Sequence, residues 1–204
     1  MKKMKHSIEE KNKKLFKKIA GKYDRGFIGK ILNKRSHKVL KLAKVKSNSI
    51  VLDVGCGTGT FLYLLSKDKS LKLHGLDLSK EMLEIATNKL KDKAILKLGS
   101  ANNISKYYKK NYFDYIFIDD AFHHLPHQER VIENIKLLLK EDGKIVINDL
   151  SFGRFGNFIF HKLEPGNSGM YTPKGYLRLL KGKGFRDIKQ KRLSLISVYT
   201  EGEK

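Results

Sequence analysis

The chain has 204 residues, 40% of them hydrophobic, enough for one compact domain with its own core. No run approaches the roughly 18 consecutive apolar residues of a membrane span, and the single cysteine, Cys56, excludes an intrachain disulfide. The 43 Lys and Arg exceed the 21 Asp and Glu, for a formal charge of +22. That excess admits nucleic acid, an anionic membrane surface or an acidic substrate as partners. Only seven of the basic residues are arginine, the side chain suited to bidentate phosphate contacts, and scattered lysines also serve plain solvation. The charged N-terminus has no apolar signal core, so a cytoplasmic location is expected.

Residues 1–46 are the most basic part, with 17 Lys or Arg against three acids, Glu9, Glu10 and Asp24. Leu15, Phe16, Ile19 and Ala20 recur at helical spacing and predict an amphipathic helix over about 8–20, with Gly21 suited to its C-cap. Ile28, Ile31, Leu32, Val39, Leu40 and Leu42 predict a second helix over about 27–43. Such a basic helical cap either rests on a membrane surface or packs its apolar stripe on the main domain.

From residue 47 the pattern changes to strand and helix in alternation. Ile50, Val51, Leu52 and Val54 form the apolar run of a strand buried on both faces. Gly55, Gly57 and Gly59 follow, and Phe61, Leu62, Leu64 and Leu65 open a helix. Glycines there let a ligand lie against the main chain, and free N–H groups at a helix start hold anionic groups. The dinucleotide fingerprint G-x-G-x-x-G would need glycine where Thr60 stands. Further strands are read at Leu71 to Asp77, Ala94 to Leu98, Phe113 to Ile118 and Lys144 to Asn148. Helices are read after Ser79, an N-cap, and across Val131 to Leu139, with Gly143 past the end of the latter. Residues 151–172 break the alternation. Gly153, Gly156, Gly166 and Gly169 with Phe152, Phe155, Phe158 and Phe160 suit a mobile lid or a packed loop. Thr172-Pro173 starts a helix to about Lys181, and Phe185 to Lys191 and Leu193 to Thr200 alternate as a closing antiparallel hairpin.

The stretch Leu52-Asp53-Val54-Gly55-Cys56-Gly57-Thr58-Gly59 matches [D/E]-x-G-x-G-x-G throughout, and in this it resembles the class I S-adenosylmethionine-dependent methyltransferases. Phe16-Lys17-Lys18-Ile19-Ala20-Gly21-Lys22-Tyr23-Asp24 is similar to the F-x-x-[I/V]-A-x-x-Y-D segment of the small-molecule, UbiE-like branch. The resemblance spans nearly the whole chain. It implies an α/β Rossmann-like fold: a seven-stranded, mostly parallel sheet with a C-terminal antiparallel strand and helices on both faces. Residues 1–46 would be a cap on a cofactor-binding core over 47–204, with a lid near 151–172.

The resemblance also implies the site, with S-adenosylmethionine as cofactor and S-adenosylhomocysteine as product. Gly55, Cys56, Gly57 and Gly59 would line the nucleoside, and Asp77, about 20 residues on, would accept the ribose hydroxyls. Asp77 could instead cap the next helix, although Ser79 is the better-placed cap. Leu78 and Met82 would flank the adenine. Ser100 and Ala101 stand where the family often has G-D-A; Ser100 replaces the acid, and Asn102 could substitute. Asp119 and Asp53 would serve the methionine end, with Tyr23 near it or near the substrate. His123 and His124, within the family's L-H-H-L phrase, are candidate general bases, or one is structural and the other faces substrate. No metal is expected, because His123-His124-x-x-His127 lacks the glutamate of H-E-x-x-H.

The expected reaction is direct displacement of a methyl group onto a small-molecule acceptor of unreadable identity. A nucleic-acid methyltransferase is disfavoured, because Asp119-Asp120-Ala121-Phe122 lacks the [N/D/S]-P-P-[Y/F] tetrad. The other alternative is a basic Rossmann-like protein that docks on RNA or membrane without catalysis. Oligomeric state is unreadable.

Overall fold

The computed structural model describes residues 2–153, 156–157 and 166–204, the side chains of 2–7, 27 and 28 excepted. Two helices lead, α1 (Lys2–Ile19) and α2 (Gly26–Ala43), joined by a 3₁₀ turn at Ala20–Lys22. Then come β1 (Ile50–Val54), α3 (Thr60–Leu65), β2 (Lys72–Asp77), α4 (Lys80–Leu90) and β3 (Ile95–Leu98). After a 3₁₀ stretch at Ala101–Lys106, β4 (Phe113–Asp119), α5 (Gln128–Leu138) and β5 (Leu139–Leu150) follow. The chain closes with α6 (Pro173–Gly182), β6 (Arg186–Ser194) and β7 (Ser197–Glu203).

The seven strands run in the order β3-β2-β1-β4-β5-β7-β6. β1 to β5 are mutually parallel, and β7 is antiparallel to both β5 and β6. The expected Rossmann-like sheet with a turned-back end is therefore present. Each face has its own core, because alternate residues of a strand point to opposite sides. Leu52, Ile116 and Ile118 pack on one face with Ile132, Ile135 and Leu180 of α5 and α6. Val51, Tyr115 and Phe117 pack on the other with Val39, Leu62 and Leu83 of α2, α3 and α4. The order reverses between β1 and β4, which opens a crevice at their carboxyl ends.

Two local expectations are corrected. Gly21 is no C-cap: α1 ends at Ile19 and the chain tightens into a 3₁₀ turn, with Gly21 absent from the left-handed backbone positions. The helix of residues 128–138 gives way at once to β5 at buried Leu139, before Gly143. Gly143 instead belongs to an irregularity in the β4–β5 ladder, which slips from Phe113↔Leu139 to Tyr115↔Lys144. Of the glycine- and phenylalanine-rich lid expected at 151–172, residues 154–155 and 158–165 lie outside the described residues. The Ser79 and Thr172 caps form, accepting from the amides of Met82 and Gly175.

Candidate active site

The cavity sits at the strand-order reversal, on the turn between β1 and α3. Gly55, Gly57 and Gly59 all have positive φ (77°, 51° and 74°), which explains the alternate glycines. A side chain at Gly55 would begin 2.6 Å from the Ala121 Cβ, so the turn also needs room. Gly59 does not line the cavity; it lies behind the turn, where a Cβ would meet Leu90 and Ala86 of α4. The turn is held from the next strand. The Gly55 amide donates to the Leu76 carbonyl at 2.7 Å, and the Gly57 amide donates to Asp77 Oδ2 at 2.7 Å. Asp77 Oδ1 accepts from the Ser79 amide at 2.8 Å. Asp77 therefore braces the turn and the start of α4 at once, with further lone pairs on both oxygens. Burial raises its pKa against these backbone hydrogen bonds.

Three more acids gather where β1 and β4 end. Asp53 is buried, and its Oδ1 has no partner among the described residues. Burial first, then the charges of Asp119 and Asp77, push its pKa well above the ordinary range. Asp119 Oδ2 accepts from the Ser36 hydroxyl at 2.6 Å and Oδ1 from Asn148 Nδ2 at 2.7 Å. Asp120 pairs with the buried guanidinium of Arg35 at 2.8 Å. Burial and the neighbouring Asp119 still raise the Asp120 pKa well above normal, against the pull of Arg35. A strongly cationic protein thus has an acidic inner wall, whose crowded carboxyls a cationic ligand would relieve.

The N-terminal helices complete the enclosure. Tyr23 lines the cavity, its phenol held above its ordinary range by burial and by Asp120, Asp119 and Asp77. Asp24 Oδ1 accepts from the hydroxyls of Thr58 at 2.8 Å and Thr60 at 3.1 Å, and Lys89 Nζ reaches Oδ2 at 2.6 Å. Burial works to raise the Asp24 pKa, but the Lys89 and Thr58 hydrogen bonds outweigh it and hold the group ionised. In α1, Asn12 Nδ2 donates to the His124 carbonyl at 2.9 Å, and the Phe16 ring stands edge-on to His124 with centroids 5.0 Å apart. The cavity encloses roughly 1090 Å³, its open mouth included.

Of the residues expected at the site, Tyr23, Asp53, Gly55, Cys56, Gly57, Asp77, Leu78, Met82, Ser100, Ala101 and Asp119 line this cavity. Burial pushes the Cys56 thiol pKa up, with Asp77 and Asp53 adding to it, so the thiol is a wall rather than a nucleophile. The two histidines separate. His124 lines the cavity; His123 is buried beside it and outside the lining. The His123 Nδ1 and amide meet Asp149 Oδ1 and Oδ2 at 2.5 and 2.7 Å, and Asp149 also accepts from Tyr176 at 3.2 Å. Asn102 does not line the cavity. The sequence reading missed Glu9, Asp24, Arg35 and Ser36, which act across 34 to 93 residues of chain. Asp24 alone had a signal, its place in the Tyr23-Asp24 phrase.

A methyltransferase-domain family model matches residues 45–170, more than half of the chain. The demethylmenaquinone methyltransferase of Staphylococcus saprophyticus is 33% identical over 144 residues, 67% of this chain and 61% of that protein. That of Oceanobacillus iheyensis is 33% identical over 154 residues, 71% of this chain and 64% of that protein. The match thus spans less than two thirds of the length of these curated relatives. Among solved structures, a SAM-dependent methyltransferase from Aquifex aeolicus superposes with a TM-score of 0.69 at 23% identity, covering 82% of this chain and 88% of the other. The glycine turn, the sheet order and the matched family model converge: the chain belongs to the methyltransferase-domain family, of the class I S-adenosylmethionine-dependent type.

Proposed function

We propose that the chain moves a methyl group from S-adenosylmethionine to a small-molecule acceptor by direct displacement. The observation that carries this reading is the cluster of buried carboxylates beside the glycine turn, above all Asp53, whose Oδ1 has no partner among the described residues. Asp77 would accept the ribose hydroxyls on the lone pairs that Gly57 and Ser79 leave open. Leu78 and Met82 would sandwich the adenine. Asp53 and Asp119 are the acids placed for the ligand's ammonium, Asp53 with an oxygen that accepts no hydrogen bond among the described residues and Asp119 with the lone pairs that Ser36 and Asn148 leave open. Bound there, the cofactor would supply an electrophilic methyl group on a sulfonium. The protein's share is to align the acceptor and exclude water, which the α1 and α2 cover serves.

Phe16, Tyr23, His124, Leu125 and Pro126 make the opposite wall aromatic and apolar, suited to a flat hydrophobic acceptor. The named activity of the relatives makes demethylmenaquinone the first acceptor to try. For an acceptor that must lose a proton, His124 is the better-placed base, with His123 fixed behind it by Asp149. Calorimetry with S-adenosylhomocysteine tests the reading. Wild type is expected to bind, and Asp77→Ala to lose about a hundredfold or more, since it removes a charged acceptor from the ribose and the brace from Gly57. Equal binding by both proteins would place the ribose elsewhere.

A further inference from the structure

The base end of the cavity receives its carboxylate from the cap. Glu9, on α1, directs Oε1 at the turn after β3, where it accepts from the Ser100 hydroxyl at 2.5 Å and from Asn102 Nδ2 at 2.7 Å. These partners are 91 and 93 residues away in sequence, so the contact is made only when α1 lies across the mouth. The Ser100 hydroxyl has one proton, and it goes to Glu9; its oxygen also accepts from the Asn102 amide at 3.1 Å. Asn102 Nδ2 is likewise committed to Glu9; its buried Oδ1 has no hydrogen-bond partner among the described residues, but Asn102 does not line the cavity, whereas Glu9 does. Among the described residues no hydrogen bond falls on Glu9 Oε2. The other acids lining the cavity are bonded at the glycine turn or stand at the ends of β1 and β4.

An adenine ring presents a two-proton donor at its exocyclic amine. Set between Leu78 and Met82, with Gly99, Ser100 and Ala101 at its edge, that amine needs an acceptor, because burying an unpaired donor is costly. We propose that Glu9 reads the exocyclic amine of the adenine, so that the N-terminal helix supplies a base-recognition residue and the site is complete only with α1 in place. This rests on the cofactor reading above. It makes closing of the cap and recognition of the base one event: Oε1 latches the helix to the β3 turn and Oε2 meets the ligand.

The test compares two ligands on two proteins by calorimetry. S-adenosylhomocysteine carries the amine; S-inosylhomocysteine carries an oxo group there, which only accepts. Wild type is expected to prefer the adenosyl ligand by at least about tenfold, the worth of one hydrogen bond to a charged group. Glu9→Gln keeps an oxygen for Ser100 and Asn102 but offers an amide in place of the charge. It is expected to bind the adenosyl ligand about tenfold more weakly and the inosyl ligand no worse than wild type does. Binding of the inosyl ligand by the variant also shows that its site is folded. An unchanged preference ratio in Glu9→Gln would overturn the role of Glu9 while leaving the cofactor reading intact. Failure of wild type to bind either ligand would overturn both.

Discussion

The two walls of the cavity are built by different means. The sheet-side wall comes from residues next to one another in the chain: Asp53, Gly55 and Gly57 on one turn, Asp77 and Leu78 on the next, Asp119 and Asp120 on a third. Its anchors are backbone amides, such as those of Gly57 and Ser79 on Asp77. The cap-side wall comes from α1, α2 and the turn between them. Its anchors are side chains that reach across the molecule: Ser36 to Asp119, Arg35 to Asp120, Asp24 to Thr58 and Lys89. A backbone-anchored wall follows from local strand and turn chemistry. A side-chain-anchored wall follows from which groups happen to meet, and single substitutions undo it.

The largest effect is therefore expected on the cap side. Arg35→Met would leave Asp120 and Asp119 buried without their cation, costing about 3–5 kcal/mol in urea unfolding at neutral pH. Lowering the pH should return part of that loss, because protonation discharges the two acids. An unchanged unfolding midpoint would mean that the cap is not integral to the fold and that the contrast between the walls is mistaken.

On the sheet side the sign should reverse. The Asp53 carboxyl has its folded pKa raised, so its ionised form costs stability that appears as pH rises through that value. Asp53→Asn removes the cost: the ligand-free protein is expected to melt a few degrees higher at pH 7–8. The gap to wild type should close at lower pH, while S-adenosylmethionine binds about tenfold more weakly. A variant that melted lower and bound as tightly would show that Asp53 holds the turn and not the ligand.

The smallest effect separates pH acting on the fold from pH acting on the site. His74 lies on β2, buried among Tyr108, Tyr112 and Phe113, and neither ring nitrogen has a partner among the described residues. Burial, with Lys72 and Lys97 nearby, lowers its pKa to about 4. A histidine that stays neutral in the fold costs nothing above its unfolded pKa of about 6.5, and stability is lost as pH falls from there towards 4. The loss is of the order of 2 kcal/mol by pH 4. His74→Phe should flatten that part of the profile in thermal melts at pH 7, 5.5 and 4.5, leaving ligand affinity at pH 7 unchanged. An equally steep profile in the variant would assign the acid sensitivity to the carboxylates.

The same division explains what could be read from the sequence. The strand–helix alternation, the capping residues Ser79 and Thr172 and the turn from Asp53 to Gly59 are local signals, and the structure carries them. Glu9 and Arg35 looked like two more charges on basic amphipathic helices. Nothing in their spacing marks Glu9 as the partner of Ser100 or Arg35 as the partner of Asp120, because those pairings exist only after the sheet has formed. The start of β5 at Leu139 was missed for a related reason. An apolar residue continuing a helical stripe looks the same whether it ends a helix or opens a strand.

The sheet order also constrains how the molecule comes together. β6 is made before β7 yet, among the described residues, pairs only with it, and β7 lies between β6 and β5. The penultimate strand therefore has nothing to add to until its successor exists. The two must zip up as a local ribbon and join the exposed flank of β5 as a unit. In refolding experiments, amides of residues 186–203 should gain protection together, and at no earlier stage than those of the parallel strands they close.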